Sequence, residues 1–182
     1  TQPIGVEALA AAGQSMPQDA SALILARPRQ QPSEGAIAVI NNYLQNGGSL
    51  LILADTQSPF MIDGSPFNAY LWENYGLRML DAVVVDPASS GETELDIISA
   101  AIFDSQISAG INPQNDPDSA TQFRIARPID INNDPPVPNG RIIMSSEASY
   151  AETNLDALFQ NNDYAPDPGE DLPGPFTTVA FA

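Results

Sequence analysis

Residues 21–55, SALILARPRQQPSEGAIAVINNYLQNGGSLLILAD, decide the expected fold. Two short, continuous apolar runs, residues 21–26 and 49–55, read as strands buried on both faces. Between them Ser33 reads as a helix N-cap, with Glu34 favourable in the first turn. Ala36, Ile37, Ile40, Tyr43 and Leu44 follow at helical spacing, and Asn46-Gly47-Gly48 reads as the stop. A strand, a helix and a second apolar strand in this order predict parallel neighbours joined by a right-handed crossover.

Outward from this unit the pattern stays α/β. Residues 6–13 read as a helix ending at Gly13, and Ser65-Pro66 opens another that carries Phe67, Tyr70 and Leu71 and ends at Gly76. Residues 80–86 (LDAVVVD) predict a third strand. Residues 94–103 fit a strand or a helix, with the strand favoured. Residues 123–131 alternate like a strand, which Pro128 places at an edge or cuts short. Residues 141–144 (RIIM) and 177–182 (TTVAFA) predict two more strands. The long polar connection between them, residues 145–176, carries several carboxylates and prolines and no basic residue. A short helix is expected near residues 152–160. So long a connection in a compact domain ordinarily shapes a surface, contacts a partner or forms a site.

Composition narrows the function. With 182 residues and 43% hydrophobic content, the chain has material for one ordinary core, so residues 1–182 are expected to form a single α/β domain. A net charge of -17 repels phosphate backbones and anionic headgroups, which argues against nucleic-acid binding and against direct docking on a membrane. The absence of Cys and His removes Ser-His-Asp and Cys-His catalysis and the commonest zinc ligands. No apolar run reaches the roughly 20 residues of a membrane helix. The chain begins at Thr1 without Met and ends in a strand-like run, so it reads as a fragment of a larger protein.

Candidate chemistry gathers at strand ends. Asp55, Asp86 and Ser145-Ser146 close three apolar runs, and ligands bind at the carboxyl edge of open parallel sheets. Asp also caps turns generally, so structural roles stand beside the functional one. Glu147 and Glu152 are a conceivable acid and base pair, without a geometry that the spacing supplies. Asn112, Asn115, Asp116 and Asp118, and separately Asp163, Asp167, Glu170 and Asp171, are oxygen-rich loops that lack an EF-hand pattern. Gly47-Gly48 precedes a strand and so does not cradle a pyrophosphate. Phe60, Tyr150 and Tyr164 are the aromatic residues near expected loops. Two readings thus stay open from the residues: a metal-dependent hydrolase using Asp55, Asp86 and a carboxylate of residues 145–176, or a small-ligand or sugar-binding module.

Four segments carry a resemblance. They are residues 22–55, residues 71–89 (LWENYGLRMLDAVVVDPAS), residues 145–155 (SSEASYAETNL) and residues 167–182 (DPGEDLPGPFTTVAFA). In this order they resemble the extracytoplasmic domain of the GldG-type auxiliary components of ABC transport systems, a family also associated with gliding motility. A His-Pro-Ile-Thr-like turn of many relatives is replaced here by Ser105-Gln106-Ile107-Ser108. The resemblance implies a Rossmann-like, three-layer α/β domain with a mainly parallel sheet, similar to class I glutamine amidotransferases. It implies membrane attachment only through segments outside these residues, and ABC permease and ATPase partners. It implies no cofactor, no metal and no catalytic residue. On it, the candidate binding surface comprises Asp55, Asp86, Ser145, Ser146, Glu147, Glu152, Thr153 and Asp167.

Overall fold

The computed structural model describes residues 3–56, 62, 64–88, 91–99, 101–111 and 117–182. The chain divides into two compact units, Thr1–Ala69 and Tyr70–Ala182. A helix, α3 (Pro66–Tyr75), runs through the division.

The first unit holds α1 (Val6–Ala11), β1 (Leu23–Ala26), α2 (Glu34–Gln45) and β2 (Leu50–Leu53). β1 and β2 pair in parallel, with Leu23 opposite Leu50 and Ala26 opposite Leu53. The crossover begins where the sequence places it. Ser33 is extended, and its Oγ accepts the Ala36 N–H at 3.1 Å. Glu7 of α1 completes the cap, accepting from Ser33 N at 2.8 Å and from Ser33 Oγ at 2.7 Å. The Ser33 amide, and then its hydroxyl, hold the Glu7 carboxyl below its ordinary range. That negative charge also suits the positive end of α2. The helix turns Ala36 and Ile40 inward, both 1% exposed. It ends before Gly47 at φ +86 and Gly48, whose missing side chain leaves room for the Tyr43 ring.

Among the described residues of this unit, only one face of the small sheet is covered. Ile24, Leu51 and Leu53 share the other face by register and are 49%, 49% and 51% exposed. Strands buried on both faces were the expectation for residues 21–26 and 49–55. The observed pair is half-covered, because the apolar run specifies a strand but not how many layers pack on it.

The second unit is built of antiparallel pairings between strands distant in the chain. Its elements are β3 (Leu77–Met79), β4 (Val83–Val85), β5 (Asp96–Ile98), β6 (Ala101–Ile102), β7 (Gln122–Arg124), β8 (Ile129–Ile131), β9 (Gly140–Met144), β10 (Tyr150–Glu152), α4 (Leu155–Asn161), β11 (Leu172–Pro173) and β12 (Thr177–Phe181). Among the described residues they form three sheets, ordered β3-β8-β12-β9-β6, β11-β10-β4 and β5-β7, and every pairing is antiparallel.

This corrects the expected fold. The sheet is not mainly parallel, and the Rossmann-like, amidotransferase-like three-layer arrangement does not form. Parallel neighbours need crossovers of a dozen or more residues, usually helical. Between β3 and β10 the described residues hold a three-residue 3-10 turn, Pro117–Ser119, and no α-helix. The expected third strand, residues 80–86, contributes only Val83–Val85, and it runs antiparallel to β10. Residues 123–131 split into β7 and β8 around Pro128, and residues 94–103 split into β5 and β6.

The core of this unit lies on one face of β4 and β10. Val83, Val85, Leu95, Tyr150 and Leu158 are buried together, with Ile125, Leu155 and Tyr164 packed against them. α4 delivers Leu158 to this face. Its N-cap is Asn154, whose side chain accepts the Ala157 N–H at 3.1 Å, and left-handed Asn162 (φ 52) ends it. No helix among the described residues is long and apolar enough to cross a membrane.

Candidate functional site

The residues after β4 and β9 form a buried polar knot. Asp86, 0% exposed, directly follows β4. Its Oδ2 accepts the Ser146 N–H at 2.7 Å, and its Oδ1 accepts from Ser146 Oγ at 2.5 Å and from Ala88 N at 3.3 Å. Ser145 ties the two ends of the long connection. Its N–H donates to Phe176 O at 2.9 Å, and its Oγ accepts the Phe176 N–H at 2.8 Å. Ser149 Oγ lies 2.7 Å from Ser145 Oγ, and Ser149 O accepts from Gly174 N at 2.8 Å. Gly174 is required here, because a Cβ would strike Ser149. The Gly174-Pro175 peptide is cis. Asp86, Ser145 and Ser146 therefore spend their polar atoms on backbone and on each other. Glu147 lies exposed on the turn beside them.

A second carboxylate group lies at the end of β10. Glu152, 2% exposed, accepts the Asn154 N–H at 2.7 Å. Asp171 accepts the Thr153 N–H at 3.0 Å and the Asp167 N–H at 2.8 Å. Burial holds the Glu152 carboxyl above its ordinary range; the Asn154 amide opposes this, and Asp171 and Asp167 add to the rise. Burial also pushes the Tyr150 hydroxyl up to about 12, with Glu94, Glu152, Asp171 and Asp163 contributing. That hydroxyl donates to Tyr164 O. The Thr153 and Asp167 side chains are exposed; Thr153 serves here through its amide and a 3.5 Å bond from its hydroxyl to Glu170 O, and Asp167 through its amide and carbonyl.

Asp55 belongs to the first unit. It pairs with Arg27, which follows β1 at a positive φ of 45. Ser105 and Ser108 bond each other at 2.9 Å, and Ser108 Oγ donates to Phe103 O at 2.6 Å.

The sequence reading passed over Asp96 and Ser149, and took Asp171 only as one carboxylate of the oxygen-rich loop at residues 163–171. Asp96 is 1% exposed and accepts from Arg124 Nε at 2.9 Å and from Thr93 N at 3.2 Å. The Arg124 guanidinium holds its carboxyl below the ordinary range despite burial. A carboxylate inside an apolar run, DII, is the signal that called for a basic partner. Ser149 and Asp171 carried no such signal, because their roles rest on residues far away in the chain.

These contacts bear on the chemistry considered from the residues. Among the described residues no three acidic side chains group as metal ligands would. In the 163–171 loop the carboxylates cap turns, Asp163 Oδ1 accepting from Ala165 N at 3.2 Å. Tyr150 and Tyr164 belong to the core rather than to an open sugar platform. Phe60, Asn112, Asn115 and Asp116 lie outside the described residues. In the first unit a pocket of about 180 Å³ is lined by Glu7, Leu25, Pro28, Ala36 and Ile40 among others. That is below the roughly 300 Å³ at which small-molecule sites usually begin.

The chain resembles a solved structure in fold. That structure is the mmIFT52 N-terminal domain. The two share 20% sequence identity at a TM-score of 0.52, over 81% of this chain and 62% of that one. The chain thus spans less than two thirds of that domain, and at this identity the likeness shows the fold alone. No family model matches the chain, and no curated protein matches it.

Proposed function

We propose that this chain is a non-catalytic accessory domain of an ABC-type transport complex, working outside the cytoplasm and binding a partner protein. The transport setting rests on the resemblance of residues 145–155 and 167–182 to the GldG-type components. Membrane attachment then comes from segments outside these residues, and the permease and ATPase subunits are the partners.

The observation that carries the binding role is the open face of β1 and β2. Ile24, Leu51 and Leu53 stand about half exposed on one side of a parallel pair. Parallel strands ordinarily have both faces covered, and grouped exposed aliphatic residues mark interaction surfaces. The candidate carboxylates favour the same reading, since Asp86, Glu152 and Asp171 are committed to backbone amides.

Co-expression with the ABC permease and ATPase subunits encoded beside its gene tests the proposal. Affinity isolation of the wild-type chain should retain those subunits, and the Leu51→Lys, Leu53→Lys variant should release them with an unchanged melting temperature. Gene neighbours of another kind, or equal retention by both forms, would overturn it.

A further inference from the structure

The connection from β8 to β9 is tied down at both ends. The Asn132 N–H donates to Gly76 O at 2.8 Å, and Asn139 Nδ2 donates to Tyr75 O at 3.0 Å and to Gly76 O at 3.3 Å. Asn132 Oδ1 accepts the Asp134 N–H at 3.0 Å and turns the chain between them. A Cβ on Gly76 would lie 2.7 Å from Asn139 Nδ2 and 2.8 Å from Pro135 Cβ, so the loop sits directly on the Tyr75-Gly76 corner. Pro135, Pro136 and Pro138 restrict its backbone further. A surface held in this way is set before a ligand arrives, which lowers the cost of binding.

Between this loop and the start of β9 lies a groove of about 310 Å³, lined by Asn133, Pro135, Pro138 and Arg141 among others. That reaches the roughly 300 Å³ at which small-molecule sites begin. Arg141 is its cation. Of the six arginines, Arg27, Arg78, Arg124 and Arg127 each pair with a carboxylate. The Arg141 guanidinium has no ion-pair or hydrogen-bond partner among the described residues, in a chain with 23 carboxylates. Its cross-strand neighbour is Ala180, which offers no charge, and Asp130 is taken by Arg78. Arg29 also stands alone, but in the loop before α2 and outside this groove. The Asn133 side chain is exposed and makes no hydrogen bond among the described residues. The groove thus presents a free guanidinium fork, a free amide and two proline rings on a fixed backbone.

We propose that this groove binds a small hydroxycarboxylate. The Arg141 guanidinium grips the carboxylate with two parallel N–H bonds, the geometry that its planar fork matches. The Asn133 amide bonds a hydroxyl beside it, and Pro135 and Pro138 pack against the carbon skeleton. A phosphate dianion fits less well, because the groove supplies one cation and the chain's net charge of -17 opposes a second negative charge. The reading does not depend on the partner-binding face of β1 and β2.

Titration of the full chain with lactate, glucuronate, glucose and inorganic phosphate, followed by NMR, tests this. Lactate or glucuronate should shift the Arg141 Nε–H and the Asn133 and Gly140 amides saturably, glucose should not, and phosphate should bind more weakly. Arg141→Lys keeps the charge without the fork and should bind about tenfold more weakly, the effect of one charge-assisted hydrogen bond. Arg141→Gln should abolish the shifts. The Arg141 side chain is exposed, so both variants should melt as wild type does. No saturable shift with either hydroxycarboxylate, phosphate binding at least as tightly, or equal binding by Arg141→Gln would overturn the proposal. If neither Arg141 variant folds, Asn133→Ala decides: several-fold weaker glucuronate binding supports the site, and unchanged binding refutes it.

Discussion

Asp86 and Ser146 bond each other twice across 60 residues of chain: the amide of Ser146 donates to Oδ2 at 2.7 Å and its hydroxyl to Oδ1 at 2.5 Å. The pair joins the end of β4 to the start of the long connection, with Asp86 fully buried and Ser146 half-buried. Asp86→Ala leaves the Ser146 and Ala88 amides without this acceptor. A hydrogen bond to a charged group contributes about 1.5–3 kcal/mol, so the variant should lose about 3 kcal/mol. Urea denaturation checks this; a loss below about 1 kcal/mol would show that water replaces the carboxylate at little cost.

Neighbouring positions on α4 should respond oppositely. Leu158 is 1% exposed and packs in the core, whereas Phe159 is 48% exposed. Leu158→Ala should cost about 3 kcal/mol through lost burial and a residual cavity. Phe159→Ala should stay within about 0.5 kcal/mol of wild type. Thermal melts of both variants test the assignment of the buried face.

Glu152 should make the protein more stable in mild acid. Its carboxyl is raised above the unfolded value, chiefly by burial. For such a group the stabilisation is complete below the unfolded value and is lost as pH rises through the folded one. The urea midpoint of wild type should therefore fall relative to Glu152→Gln between pH 5 and pH 8. Parallel curves for the two proteins would contradict the buried placement of Glu152.

Asp96 has the opposite sign. Its folded value is lowered, with the Arg124 hydrogen bond as the largest cause. Its contribution is present above the unfolded value and is lost as pH falls through the folded one. Arg124→Ala removes the guanidinium from a nearly inaccessible carboxylate, so acid unfolding should begin at higher pH than in wild type. Circular dichroism across pH 2–6 reads the shift, and an unmoved transition would remove the pairing from the account.

Ser33 should show the value of a single cap. Ser33→Ala removes the acceptor for Ala36 N and the hydroxyl donated to Glu7, at about 1 kcal/mol. Ser33→Asp should recover less than an ordinary cap replacement, because its charge faces Glu7. A double-mutant cycle with Glu7→Gln separates the two terms.

The local grammar was legible. Ser33 as a cap, Gly47 as a stop, Pro66 at the first turn of α3 and the break at Pro128 follow from sterics and bonds among close neighbours. The short helix in residues 152–160 was also readable, displaced to Leu155–Asn161 because Asn154 takes the cap. Strand direction was not legible in the same way. LDAVVVD suits a parallel or an antiparallel neighbour, and only the approach of β10 chose the second.

The candidate site divides along the same line. Asp86, Ser145, Ser146 and Glu152 stood out because polar residues bordering apolar runs call for an explanation. Their tasks depend on Phe176, Asp171 and the amides at positions 146 and 154, which no local pattern announces. Sequence by itself determined where helices start and stop and which runs are extended, since those choices are made within a few residues. Tertiary structure decided the antiparallel pairing, the uncovered face of β1 and β2 and the burial of Glu152. Each of these depends on which distant segment arrives to exclude water, and the same short strand accepts several such partners.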